Sequence, residues 1–303
     1  MTALGVYRRL QTLSTPAGHF NILAVDHRDA LRAAVDPADP GSVADSTLVD
    51  LKMRLVAHVG GLASAVMLEP EFSMAQSIAS GILPPGCGFT AAIEAQGYLA
   101  DPTAATNTTL PGWSVDQAAA AGASAAKILV LWDPSDETSQ RAQINWITGL
   151  VDDCARVGLP LLLEPIIRQQ VPFDAHLAMI ERMSSLGPAI LKLAISPGES
   201  RFQLLDQAAL GRPWVLLSAG VAFGVFSDQV RRACEAGASG FAVGRALWGE
   251  YLHAPADRAD DAVATMVARL RSLCDTTSSL AKPWTERVAA PRSDAQWFLD
   301  GGN

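Results

Sequence analysis

"NILAVDHRDALR", residues 21–32, is where this chain chooses between two ways of building an α/β protein. An apolar run of strand length ends in Asp26, His27 and Arg28, and a stretch of helical period follows. In an open, doubly wound sheet that holds a dinucleotide, the first strand-to-helix turn is glycine-rich, so that backbone N–H groups can approach a pyrophosphate. This turn has no glycine and three ionisable side chains. It offers side-chain chemistry in place of a nucleotide cradle.

Seven further apolar runs follow: SAVMLEP (64–70), GFTAAIEA (88–95), AAKILVLW (125–132), PLLLEP (160–165), AILKLA (189–194), WVLLSAG (214–220) and GFAVG (240–244). Short apolar runs alternating with helical periodicity are the pattern of parallel strands covered by helices. Asp45 or Ser46 is placed to cap a helix carrying Leu48, Leu51, Leu55, Val56 and Val59 at three- and four-residue spacing. Ser139 to Val157 repeats the pattern and stops at Gly158; Ser227 opens a shorter helix that ends at Gly237; Asp261 to Cys274 is the last. Two connections read as loops, "SGILPPGCG" (80–88) and "ADPTAATNTTLPGW" (100–113). No linker or repeat divides the chain. Eight strands with helices between them in 303 residues predict an α/β fold: a single (β/α)8 TIM barrel over residues 1–303.

Composition narrows the function. Apolar residues make up 49% and charged residues 18%, as in a globular protein. A net charge of -8 lacks the basic footprint that nucleic acid requires, whereas a few local Arg and Lys suffice for a small anion. No apolar run is long enough to span a membrane, and the N-terminal residues do not read as a signal peptide. Cys87, Cys154, Cys234 and Cys274 are far apart with no C-x-x-C pair, which predicts reduced thiols and a cytoplasmic location. The five histidines have no ligand spacing, and only His27 falls at a strand end, so no metal or other cofactor is expected.

In a barrel the chemistry sits at the C-terminal strand ends. Here those ends carry Asp26-His27-Arg28, Glu69, Glu94, Asp133, Glu164, Lys192, Ser218 and Gly244-Arg245. Lys192 stands inside the apolar run "GPAILKLAIS" (187–196). It could snorkel to solvent or be held by a carboxylate; burial is also how proteins make a lysine nucleophilic. Strand alternation puts Lys192 on one face with Ile190 and Ala194, Lys127 with Leu129 and Leu131, and Glu164 with Leu162. If the opposite faces pack on helices, two lysines and a glutamate converge inside the barrel. That is the equipment of an imine-forming enzyme. Gly220 and Gly244, with Arg245 beside them, lie where the loops after strands seven and eight form the phosphate site of this fold.

At these residues the sequence resembles the class I aldolases of the tagatose-1,6-bisphosphate aldolase family, most closely their sulfofructose-phosphate branch. Seven colinear motifs carry the resemblance: "LAVDHRDALR", "VADSTLVDLK", "AAKILVLWDPSDE", "LLLEPIIR", "ILKLAIS", "PWVLLSAGV" and "EAGASGFAVGRALW". It implies a barrel enzyme that cleaves a phosphorylated ketose, a ketose 1-phosphate, to dihydroxyacetone phosphate and an aldehyde without a metal. By the same resemblance Lys192 matches the Schiff-base lysine, Glu164 the acid/base carboxylate and Lys127 the assisting lysine. Asp26 and Arg28 match substrate contacts, and Ser218, Gly220, Gly244 and Arg245 the phosphate end. We add His27 and Glu69 as candidate substrate contacts. His27 stands where the family carries glutamine, and Ala194 where it carries glutamate two residues after the lysine. A metal-dependent aldolase and a non-catalytic sugar-phosphate-binding barrel are the rival readings. Trp248 and Tyr251 are candidates for contacts in a homo-oligomer.

Overall fold

The computed structural model describes residues 3–95, 106–196, 198–294 and 296–297. Eight parallel strands close on themselves in sequence order: β1 Phe20–Ala24, β2 Ala65–Leu68, β3 Gly88–Ala92, β4 Ala125–Leu131, β5 Leu161–Ile166, β6 Ile190–Leu193, β7 Trp214–Leu217 and β8 Gly240–Val243. Each strand falls on its predicted apolar run, with β1 starting one residue before it at Phe20 and β5 ending one residue after it at Ile166, and the architecture is the (β/α)8 barrel that the sequence predicts. The loop-rich connection after β3 lies partly outside the described residues, at 96–105.

Strand alternation sorts the core into two shells. Phe20, Ile22, Met67, Ala125, Leu162, Ile190, Val215 and Ala242 fill the barrel interior, and Leu10, Leu13 and Trp284 join the same apolar cluster. The residues between them, such as Leu23, Val66, Ile128, Leu163, Leu191 and Leu216, pack outward against the helices. Lys127, Glu164 and Lys192 therefore share the inward parity of Ala125, Leu162 and Ile190, above the apolar layers. Closure at the β1–β8 seam, where Phe20 pairs with Gly240, leaves no room for a side chain. Gly240 has φ +146, and a Cβ there would stand 2.0 Å from the Phe20 carbonyl oxygen.

Helix ends are where the structure differs from the sequence reading. The helix Asp45–Val59 begins at Asp45, and neither Asp45 nor Ser46 caps it; the Asp45 carboxylate pairs with Arg32 instead. The helix Glu137–Val157 is capped by Asp136, which accepts from the Thr138 and Ser139 N–H groups at 2.9 and 3.0 Å, and it stops at left-handed Gly158, φ +65. Ser227 lies inside the helix Phe223–Glu235, because buried Phe226 continues the stripe of Val230, Ala233 and Cys234 and draws in one more turn. The last helix runs Ala259–Leu280, beyond Cys274, since buried Thr277 donates to Asn21 Oδ1 at 2.7 Å.

Trp248 is unavailable for contact with another copy. It is 1% exposed and donates from Nε1 to the Ala24 carbonyl at 3.0 Å, because its indole closes the gap between β1 and the helix after β8. Tyr251 packs partly buried on the core, edge-on to His58. Among the described residues no helix is long and apolar enough to cross a membrane.

Candidate active site

Five side chains from five strand ends meet at the C-terminal mouth. Lys192 on β6 places Nζ 2.9 Å from Glu164 Oε2 on β5. Lys127 on β4 lies 3.3 Å from the same oxygen, and also 2.9 Å from Asp26 Oδ2 after β1 and 2.6 Å from Glu94 Oε1 after β3. All five groups are buried. Glu164 thus bridges the two ammonium groups, and Lys192 has Met67 Sδ as its other neighbour, at 3.6 Å.

Burial works against every charge in this cluster, and the partners decide which charges survive. Burial raises the Asp26 carboxyl, but Lys127 first and then Lys192 outweigh it and hold the group well below the usual carboxylate range. Glu164 behaves alike: Lys192 and Lys127 overcome burial and keep it below its ordinary value. Glu94 goes the other way. Burial there exceeds the pull of Lys127 and Arg28, and nearby Asp26 adds to the rise. Burial also lowers the His27 imidazole to about 4, with Lys192 and Arg245 adding to the effect and Asp26 opposing it, so His27 is neutral at pH 7.

His27 is fixed by shape. Its ring meets Trp248 edge to face with centroids 5.3 Å apart, and a Cβ at residue 244 would stand 2.8 Å from His27 Cε1, so glycine is required there. A Cβ on Gly220, whose φ is +76, would touch the Arg245 guanidinium at 3.3 Å. Gly220, Gly244, Arg245 and His27 therefore form one edge of the mouth, and buried Ser218 directly follows β7. The helix Arg245–Leu252 starts at this edge, where first-turn N–H groups have no intrahelical acceptor. Gly220, Gly244 and Arg245, three of the residues expected at a phosphate end, are thus brought together.

Two strand-end carboxylates stand apart. Glu69 forms a fully buried ion pair with Lys52 and accepts from the Ser73 hydroxyl and the Glu71 and Phe72 N–H groups. Its acceptor sites are filled by the chain itself. The set orders the loop after β2, which presents Glu71 to Arg28. Arg28 is 2% exposed; Nη1 binds Glu71 Oε2 at 2.6 Å and Nη2 donates to the Glu94 carbonyl at 2.8 Å. Arg28 thus braces β1 against β3, with no donor of either contact directed at the lysines. Asp133 accepts from Ser135 and Gln169 in an exposed turn.

Sequence reasoning missed Lys52, Glu71 and the place of Glu94 in the cluster. A signal existed for Lys52, which sits among Leu48, Leu51, Leu55 and Val56 on the apolar face of its helix. Ala194, where a glutamate was expected, offers its carbonyl to His176 Nε2 at 3.2 Å. Among the described residues no group of three or more His, Cys, Asp and Glu side chains is arranged to hold a metal ion.

Known proteins resemble this chain along most of its length. Residues 20–250 match the family described as DeoC/LacD family aldolase. Tagatose 1,6-diphosphate aldolase 1 of Streptococcus pyogenes serotype M3 (strain SSI-1) is 24% identical over 89% of this chain and 95% of its own. Tagatose 1,6-diphosphate aldolase of Lactococcus lactis subsp. lactis is 24% identical over 93% and 98%. Among solved structures, an archaeal fructose-1,6-bisphosphate aldolase, with its catalytic lysine covalently bound to the carbinolamine intermediate, superposes with a TM-score of 0.62. It is 19% identical over 88% of this chain and 99% of that one, so it speaks for the fold. The chain belongs to the DeoC/LacD family of aldolases.

Proposed function

We propose that this protein is a class I aldolase that cleaves a ketose 1-phosphate to dihydroxyacetone phosphate and an aldehyde through an imine on Lys192. The carrying observation is the 2.9 Å contact between Lys192 Nζ and Glu164 Oε2, with Lys127 on the same carboxylate oxygen. An ionised glutamate so placed can take the lysine's proton and free the amine to attack the C2 carbonyl. The protonated glutamate then returns that proton to the carbinolamine hydroxyl, which leaves as water. The iminium draws the electrons of the breaking C3–C4 bond as a base removes the C4 hydroxyl proton. The aldehyde departs, the enamine takes a proton at C3, and water releases the three-carbon ketone. The edge formed by Ser218, Gly220, Gly244 and Arg245 would hold the phosphate and so fix C2 over the amine.

For the substrate we propose 6-deoxy-6-sulfofructose 1-phosphate, giving sulfolactaldehyde as the aldehyde, on the motifs "VLWDPSDE" and "EPIIR". A second reading, tagatose or fructose 1,6-bisphosphate, is favoured by the names of the two bacterial relatives. We also take the location to be cytoplasmic, a reading supported by four free cysteines whose thiols burial pushes up to about 11 or 12.

Release of dihydroxyacetone phosphate from each ketose, followed by a coupled assay, separates the readings. A kcat/KM ratio of roughly 100 or more for the sulfonate substrate is expected; the inverse ratio makes the bisphosphate the substrate. Lys192→Ala should abolish cleavage of either one. Tight binding of both with no turnover by the unaltered protein would leave a sugar-phosphate-binding barrel.

A further inference from the structure

The charges at the barrel mouth do not balance. Lys127 and Lys192 face Asp26, Glu94 and Glu164, while Arg28 is matched by Glu71 and Lys52 by Glu69. Within the central cluster two buried ammonium groups therefore meet three buried carboxyl groups, and neutral His27 does not make up the difference. An uncompensated buried anion is costly, which favours a proton on one carboxyl of this set.

Geometry picks out which one. Both oxygens of Asp26 face a nitrogen: Oδ2 lies 2.9 Å from Lys127 Nζ and Oδ1 3.8 Å from His27 Nδ1. Glu164 touches both ammonium groups through Oε2. Glu94 is 1% exposed; Oε1 accepts from Lys127 at 2.6 Å, and Oε2 is buried with no hydrogen-bond partner among the described residues. A buried hydroxyl without an acceptor is a modest cost, whereas a buried anionic oxygen without a donor costs far more. The charged groups that face Glu94 are Lys127 from β4 and Asp26 and Arg28 from the segment after β1, and Arg28 also holds the Glu94 carbonyl.

We propose that Glu94 is a positioning residue that carries the surplus proton of the resting site and holds Lys127 between Asp26 and Glu164 without cancelling its charge. Lys127 then keeps its positive charge for Glu164 and for the substrate oxygens that approach it. The direction in which burial moves Glu94, opposite to Asp26 and Glu164, agrees with this. The functional part of the inference rests on the imine reading above; the protonation state does not.

Infrared spectroscopy of the whole protein, with and without carboxyl-13C glutamate, reads the proton directly. A protonated glutamate carbonyl band that shifts with the label should persist from pH 6 to pH 7, where ordinary glutamates, with pKa about 4.3, are ionised. The band should vanish in Glu94→Gln. Its absence from the unaltered protein, or its survival in that variant, overturns the proposal. A kinetic readout adds to this. Removing a real charge beside Lys127 would move the acid limb of kcat/KM by about one pH unit or more, whereas an already neutral group leaves that midpoint within about 0.3 unit, whatever happens to kcat. A shift of a full unit in Glu94→Gln contradicts the proposal. Failure to trap an imine on Lys192 would leave the infrared result standing, so the two readings fail separately.

Discussion

Lys127 organises the mouth of this barrel more than Lys192 does. It contacts Asp26, Glu94 and Glu164, whereas Lys192 contacts Glu164 alone among the described acids. Removing one partner of a buried charge set strands the rest, so Lys127→Ala should lose about 3–5 kcal/mol of stability in urea denaturation. A loss below about 1 kcal/mol would show that the carboxyl groups rearrange without it. His27 gives a pH signature. Its folded value, about 4, lies below the unfolded value near 6.5, so the unfolded chain binds the proton first and stability falls as pH drops through that window. Between pH 7 and 5 the unaltered protein should lose about 1–2 kcal/mol more than His27→Gln. Buried His19 and His176 are lowered in the same direction and contribute equally to both proteins, so equal slopes would refute the assignment to His27. Lys127, Glu164 and Lys192 were legible in sequence because strand parity alone turns them inward. Glu71 was not, since its partner Arg28 lies 43 residues away and only the fold brings them together.

At the scale of elements, the strands were legible almost to the residue and the helix ends were not. A buried strand announces itself by unbroken apolar character, as AILKLA does; a helix start depends on which turn finds a buried neighbour. Ser227 has the chemistry of a cap, yet Phe226 extends the buried stripe and draws the start back to Phe223. Glycines separate tolerance from necessity. Gly240→Ala would drive a methyl group into the Phe20 carbonyl at the seam that closes the barrel, and should cost at least about 3 kcal/mol or prevent folding. Gly224, in the first turn of the helix Phe223–Glu235, has nothing within 4 Å of its Cβ position. Gly224→Ala should gain about 0.4–1 kcal/mol. Thermal melts of the two variants check both, and a similar melting temperature for both would mean that the seam can open to admit the methyl group.

At the scale of the molecule, the barrel explains how a chain with a net charge of -8 keeps lysines at its centre. Apolar layers fill the lower interior, the upper strand ends turn ionisable, and each lysine is delivered to carboxylates from neighbouring strands. The absence of a glycine-rich turn in "VDHRDALR" made the closed barrel legible. The charge surplus was not, because it depends on the fold bringing Asp26, Glu94 and Glu164 to one lysine, Lys127. The central claim is that Lys192 forms the imine, and its most direct measurement is borohydride reduction of the protein with dihydroxyacetone phosphate, followed by peptide mass spectrometry. The account predicts one reduced three-carbon adduct, on Lys192. An adduct on Lys127 alone, or none while the phosphate ester still binds, would contradict it.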